Sequence, residues 1–317
     1  MLLTSLSGKV FSQYTEVINA NRPGESQGAY AVGKNILQFE LSPFYGREEH
    51  DLQRTESDIF GLDFAVRYGF FREQLEVIWN GSFQSVSQTD NRGLAPVDRN
   101  FSNFRSNTFG VKYLVYDPFK FAGFEQPNIR SWKANTKFTL KDLIPAVSVY
   151  AGLNIMEDDN PLSFPGDELS PKFAIMTQNN LPSGFNFVTN FILDKSTTDF
   201  SSFSFIATLT YSAGNQWAYF GEFETTVGDF YSDELLRGGL IYLFTKDFQV
   251  DLAASINFKD TPSVFRINAG IAYRFDMHRD DTKIFAPETK AEKKDRELKE
   301  TLDKKKRRDG FDAPENE

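Results

Sequence analysis

The chain has 317 residues, a formal net charge of −9 and a pI of about 5.0, which argues against nucleic acid as a partner because such binding needs a basic face. Mean hydropathy is −0.42, and no uninterrupted apolar run approaches the roughly 18 residues of a membrane-spanning helix, so a helical membrane protein is excluded. The absence of Cys removes disulfide scaffolds, thiolate zinc sites and thiol nucleophiles.

Residues 1–13, with Leu2, Leu3, Leu6 and Val10 leading to Gln13, read as the remnant of a secretory signal peptide, with an ordinary unstructured start as the alternative. Residues 14–35 form a segment ahead of the first strand. It is either a plug folded into a lumen, with Arg22 and Glu25 as its charged contacts, or a flexible periplasmic lead-in.

From there the dominant signal is period-two alternation, the mark of a strand with one apolar face. Leu37, Phe39 and Leu41 oppose Gln38, Glu40 and Ser42. Phe60, Leu62, Phe64, Val66, Tyr68 and Phe70 oppose Gly61, Asp63, Ala65, Arg67 and Gly69. Near the end, Phe248, Val250, Leu252, Ala254 and Ile256 oppose Gln249, Asp251, Ala253, Ser255 and Asn257. Phe265, Ile267, Ala269, Ile271, Tyr273 and Phe275 oppose Arg266, Asn268, Gly270, Ala272 and Arg274. Extended along the chain, the pattern predicts about twelve strands, near 36–47, 57–70, 74–87, 105–117, 145–156, 171–181, 185–195, 201–213, 216–227, 234–245, 248–259 and 263–276.

The connections sort into two classes. Phe71-Arg72-Glu73, Pro182-Ser183-Gly184, Gly214-Asn215 and Lys246-Asp247 are tight turns. His50 to Glu56, Thr89 to Asn103 and Glu157 to Ser170 are longer and more polar. This asymmetry fits an outer-membrane barrel with turns and both termini in the periplasm. The stretch from Asp117 to Leu143 breaks the rule on the short side, as an interface element, extra strand length or a cap. A soluble sandwich is disfavoured because strands of about 11–14 residues exceed its usual 5–6 and suit a tilted bilayer crossing. The 33 Phe, 12 Tyr and 3 Trp, in a chain that is 25% charged, are what alternating lipid-facing strands need.

Beyond Met277 the pattern changes. Residues 277–317 read as a charged periplasmic helical tail, with Pro287 in a first turn, Gly310 past the end and Glu292–Arg296, Asp295–Lys299 and Glu300–Lys304 as i,i+4 pairs. Leu298 and Leu302 give too narrow a stripe to bury. The tail is either solvated or a docking segment for a periplasmic protein partner.

The expected fold is therefore all-β: a closed antiparallel transmembrane barrel over 36–276 with that tail appended. With the aromatic faces toward lipid, Glu40, Asp63, Arg67, Glu76, Lys112, Glu222, Glu224, Arg237, Asp251, Arg266 and Arg274 line the lumen. Closure of the barrel brings Glu40 toward the row of Arg266 and Arg274. Such charges brace a small barrel, select small polar or ionic solutes, or do both. Catalysis is not expected. Only His50 and His278 exist, and neither stands beside a Ser or Thr nucleophile. Glu157-Asp158-Asp159-Asn160 matches no calcium-loop spacing and reads as a solvated loop. No metal and no cofactor are expected.

Asn21-Arg22-Pro23-Gly24-Glu25-Ser26, then Val32-Gly33-Lys34 and Leu37-Gln38-Phe39-Glu40, resemble the opening of an outer-membrane barrel family. Its label refers to the meta-pathway of phenol degradation, and its members are often called simply transporters. Tyr68-Gly69-Phe70 with Glu73-Gln74-Leu75-Glu76, Phe109-Gly110-Val111-Lys112-Tyr113, and Asn268 to Phe275 also fit, so the resemblance covers about residues 20–276. The aromatic-rich style is similar to proteins of the Bacteroidota. The resemblance implies an outer-membrane channel or transporter with lipid and small solutes as partners, without implying phenol chemistry. The alternative is an assembly barrel whose tail docks a partner complex.

Overall fold

A computed structural model describes residues 17–121, 138–163 and 168–277. The predicted signal remnant and the charged tail lie outside the described residues, apart from Met277. Twelve strands follow one another: β1 (Ile36–His50), β2 (Thr55–Gly69), β3 (Leu75–Asp90), β4 (Val97–Tyr116), β5 (Ala146–Ile155), β6 (Leu169–Leu181), β7 (Phe185–Asp194), β8 (Ser202–Ala213), β9 (Trp217–Gly228), β10 (Asp233–Thr245), β11 (Phe248–Asn257) and β12 (Ser263–Asp276). Each pairs antiparallel with its sequence neighbour. β1 pairs with β12 from Ile36↔Asp276 to Glu49↔Ser263, so the sheet is closed and has no edge along that seam.

The alternation that the sequence displays is the alternation of the wall. Outward positions carry Phe39, Leu41, Phe60, Leu62, Phe109, Val111, Phe173, Ile175, Leu252, Ile267 and Ile271, all solvent-accessible. In water each such side chain would forgo about 1.5–3 kcal/mol of burial, whereas in hydrocarbon that penalty vanishes. A girdle of rings runs round the end where the chain enters and leaves the barrel, the turn end. Its centroids lie 4.7 Å apart for Trp217 and Tyr242, 4.7 Å for Tyr242 and Phe244, and 5.7 Å for Phe244 and Phe248. It continues through Tyr273 to Phe275 at 4.5 Å and Phe39 at 5.8 Å. Amphipathic rings at this level suit a membrane–water boundary.

Two features differ from the sequence reading. β4 begins at Val97, so most of the expected Thr89–Asn103 loop is hairpin, paired from Asp90↔Val97 onward. Asp98, Asn100 and Ser102 are polar where alternation would put apolar residues, because this part of β4 pairs with β3 alone and meets β5 only from Thr108 onward. Cross-strand bonds hold it instead, Ser102 to Ser85 at 2.8 Å and Thr89 to Asp98 at 2.8 Å. The connection after β4 contains a short helix, α1 (Pro118–Phe121), and a 3₁₀ turn at Leu140–Leu143, so its described parts are not extra strand.

Candidate functional site

The inward faces build a belt of charges in which acids and bases sit on neighbouring strands. Glu40 of β1, Arg67 of β2, Glu76 of β3 and Lys112 of β4 form one continuous chain. Arg67 donates to Glu40 at 3.2 Å and forks onto both oxygens of Glu76 at 3.1 Å, while Lys112 reaches Glu76 at 2.8 Å. All four are 0% exposed. Across the barrel, Arg237 of β10 meets Glu222 at 2.8 Å and Glu224 at 2.6 Å, both on β9. Lys172 of β6 pairs with Asp194 of β7 at 3.2 Å. Arg266 of β12 bonds Asp63 of β2, across β1. Asp251 is buried in the same wall, beside Gln249 and the Gly270 backbone.

The predicted lumen residues lie on the inner face of the wall, and Glu40 stands beside the β12 row as expected but without an ion pair to either arginine. Glu40 does not meet Arg266 or Arg274. The register sets Glu40 opposite Ala272, Arg274 opposite Gln38 and Arg266 opposite Gly46. Arg274 pairs instead with Asp247 at 2.6 Å in the turn after β10. A lumen side chain reaches partners according to its height along the barrel, and strand adjacency alone does not supply that height.

Through this belt runs the segment ahead of β1. It starts where the Ile18 amide donates to the Lys246 carbonyl at 2.8 Å, at the turn end. The amides of Asn21 and Arg22 then donate to Glu40 at 3.2 Å each, and the Arg22 guanidinium donates to Asp63 at 3.1 Å. On the far wall, the Glu25 and Ser26 amides donate to Glu222 at 3.0 and 3.2 Å. Gln27 exchanges two bonds with Asn190 of β7, at 2.6 and 2.9 Å, as a neighbouring strand would. The Ala29 amide finds Gln178 of β6 at 3.0 Å, and Lys112 donates to the Gly28 and Tyr30 carbonyls at 2.8 and 3.1 Å. The Val32 amide closes the circuit on Glu76 at 2.7 Å. The segment thus travels round the lumen and is held chiefly by its backbone, whose groups cannot stay unpaired inside.

Each anchoring carboxylate has two tasks: it neutralises a cation of the wall and accepts amides of the segment. Glu222 also accepts from Thr208 at 2.7 Å. Sequence reading missed Asn190, Gln178 and Gln249, the last donating to the Arg22 carbonyl at 3.2 Å. The available signal was an amide at inward parity, which an apolar/charged reading passes over. The acidic stretch at 157–160 organises its own loop. Asn160 donates to the Phe104 carbonyl at 2.7 Å and accepts from Leu162 at 2.9 Å. No group of three or more metal-ligating side chains occurs among the described residues. In the loop after β9, burial pushes the Tyr231 phenol well above its ordinary range, reinforced by its 2.5 Å hydrogen bond to Asp233.

The segment leaves the lumen past Gly69, where a Cβ would collide with the Gly33 carbonyl; Gly33 itself holds φ +95, which glycine adopts freely. Gly69→Ala should therefore cost about 1–3 kcal/mol, as overpacking does. Thermal unfolding in detergent checks this, with Gly221→Ala, where nothing lies within 4 Å of an added Cβ, as the neutral comparison.

Among solved structures, an outer membrane channel from Pseudomonas putida F1 superposes with a TM-score of 0.51 at 10% identity, covering 80% of this chain and 99% of that one. The transport unit of the autotransporter AIDA-I from Escherichia coli gives 0.45 at 9% identity, covering 82% and 93%. The NanC porin gives 0.44 at 10% identity, covering 74% and 98%. No curated protein matches the sequence. A family profile matches residues 20–275, from the lumen segment to the end of β12. The chain belongs to the family described as "Putative MetA-pathway of phenol degradation".

Proposed function

We propose that the protein is an outer-membrane channel for small polar or ionic solutes, narrowed by its own N-terminal segment. In this reading the turn end and both ends of the chain lie in the periplasm, and the loops between odd and even strands face outward. The observation that carries it is the closed twelve-stranded wall, apolar outside and charged inside. A soluble protein has no use for that inversion, and a bilayer requires it. The bonds to residues 18–34 hold the segment across the lumen at the level of Glu40, Glu76 and Glu222. A lumen crossed by this segment suits single ions or small solutes better than oligomers.

Planar-bilayer recording of the purified protein tests the reading. Discrete steps of small, steady conductance are expected, and folded protein that never conducts at any voltage would refute it.

A further inference from the structure

One anion in the lumen is placed unlike the rest. Glu40, Glu76 and Glu222 each accept backbone amides and face a wall cation. Glu25 makes no side-chain hydrogen bond among the described residues, and its side chain is 40% exposed in the lumen. Its nearest cation is Arg22 at 3.9 Å, and it lies in the field of Arg237, Arg266 and Lys172, which project from β10, β12 and β6. Arg237 and Lys172 have their own wall carboxylates. Arg22 and Arg266 do not have one each: both bond the same oxygen of Asp63. Two guanidiniums thus share one hydrogen-bonded carboxylate, with Glu40 and Asp251 of the wall also in the field of Arg22, and Glu25 adds a negative charge from the segment itself.

The floor of this place is apolar. The Arg266 guanidinium carbon stands 3.6 Å above the centroid of Phe44, whose ring is buried against the inner wall. Gly61 makes room for that ring, since a Cβ there would collide with it.

We propose that the Arg22–Arg266 pair above Phe44 is a binding site for the carboxylate of a small organic anion, and that Glu25 is its built-in competitor. The inference rests on the channel reading and names a solute class for it. A guanidinium fork matches a carboxylate in shape as well as charge. Partial exclusion of water strengthens the attraction beyond its value in bulk solvent. The Phe44 ring, covered by Arg266, holds that guanidinium in place. While Glu25 holds the place, a solute anion must displace a tethered rival, so occupancy stays weak and transit is quick.

The test is calorimetric titration of the detergent-solubilised full chain with sodium benzoate, sodium acetate and sodium chloride, for wild type and Glu25→Gln. Glu25→Gln should bind benzoate and acetate each about tenfold more tightly than wild type does, and chloride less tightly than either. Adding Arg266→Gln to Glu25→Gln should abolish the gain while heat-modifiable electrophoretic mobility shows the barrel still folded. Equal benzoate affinity in wild type and Glu25→Gln overturns the proposal, as does a gain that survives Arg266→Gln. Binding needs no conduction, so the two readings fail separately. A silent bilayer with tight benzoate binding removes the channel and keeps the site. A conducting bilayer with unchanged binding removes the site and keeps the channel.

Discussion

Replacing Arg67 by Ala should destabilise the barrel by about 3–5 kcal/mol, the cost of removing one partner from a buried ion pair. Arg67 is 0% exposed. It spends its donors on Glu40, on both oxygens of Glu76 and on the Asn19 carbonyl at 2.7 Å. Glu76 keeps Lys112 after the change, so the damage falls first on Glu40. That carboxylate is left with the Gln38 amide and the backbone amides of Asn21 and Arg22. Arg67→Lys should recover part of the loss, because an ammonium restores the charge but cannot fork across two carboxylates. Urea unfolding in detergent micelles should rank wild type above Arg67→Lys and Arg67→Lys above Arg67→Ala. An Arg67→Ala protein within about 1 kcal/mol of wild type would mean that the chain from Glu40 to Lys112 does not brace the wall.

The barrel was legible because a transmembrane strand writes its environment into every second residue. Phe265 to Phe275 against Arg266 to Arg274 sustains the alternation over eleven residues, longer than the strands of a soluble sandwich usually run. The reading weakened where a strand leaves the apolar layer. Around Asp98 to Asn103 the outward positions are polar and Phe101 stands at the opposite parity, so the apolar alternation is lost and a strand passed for a loop. Which side of the wall Glu40, Asp63 or Arg67 takes was legible, since parity assigns a side. Their partners were not, because pairing depends on the shear of the barrel, which sets the height of Glu40 against Arg67 rather than against Arg274. The path of residues 18–34 was the least legible part. The wall holds it by main-chain groups, and a backbone amide bonded to Glu222 leaves no trace in the identity of Glu25 or Ser26.

That mode of attachment determines how the segment can be loosened. Apart from Arg22 on Asp63 and Ser26 on Thr208, its side chains carry little of the attachment, whereas neutralising the wall carboxylates removes acceptors. Glu222→Gln should raise the frequency of large channel openings about thirtyfold. The Glu25 and Ser26 amides now donate to a charged acceptor, and such bonds contribute about 1.5–3 kcal/mol against about 0.5–1.5 for neutral ones. A loss of about 2 kcal/mol over the pair shifts the seated-to-unseated ratio by that factor. Arg237 retains Glu224 at 2.6 Å, so the wall itself survives. The complementary experiment fixes the segment in place. The Ser26 hydroxyl lies 2.7 Å from that of Thr208 on β8, near enough for the double variant Ser26→Cys/Thr208→Cys to form a disulfide with little backbone movement. The native chain has no Cys to interfere. Oxidised, this variant should lose large openings and keep the small steady conductance, and dithiothreitol should restore them. If large openings persist with the bridge confirmed by mass spectrometry, the segment does not set the size of the pore. If the small conductance also vanishes on oxidation, ions pass only when the segment has left its seat, and the passage beside Glu25 is not the route.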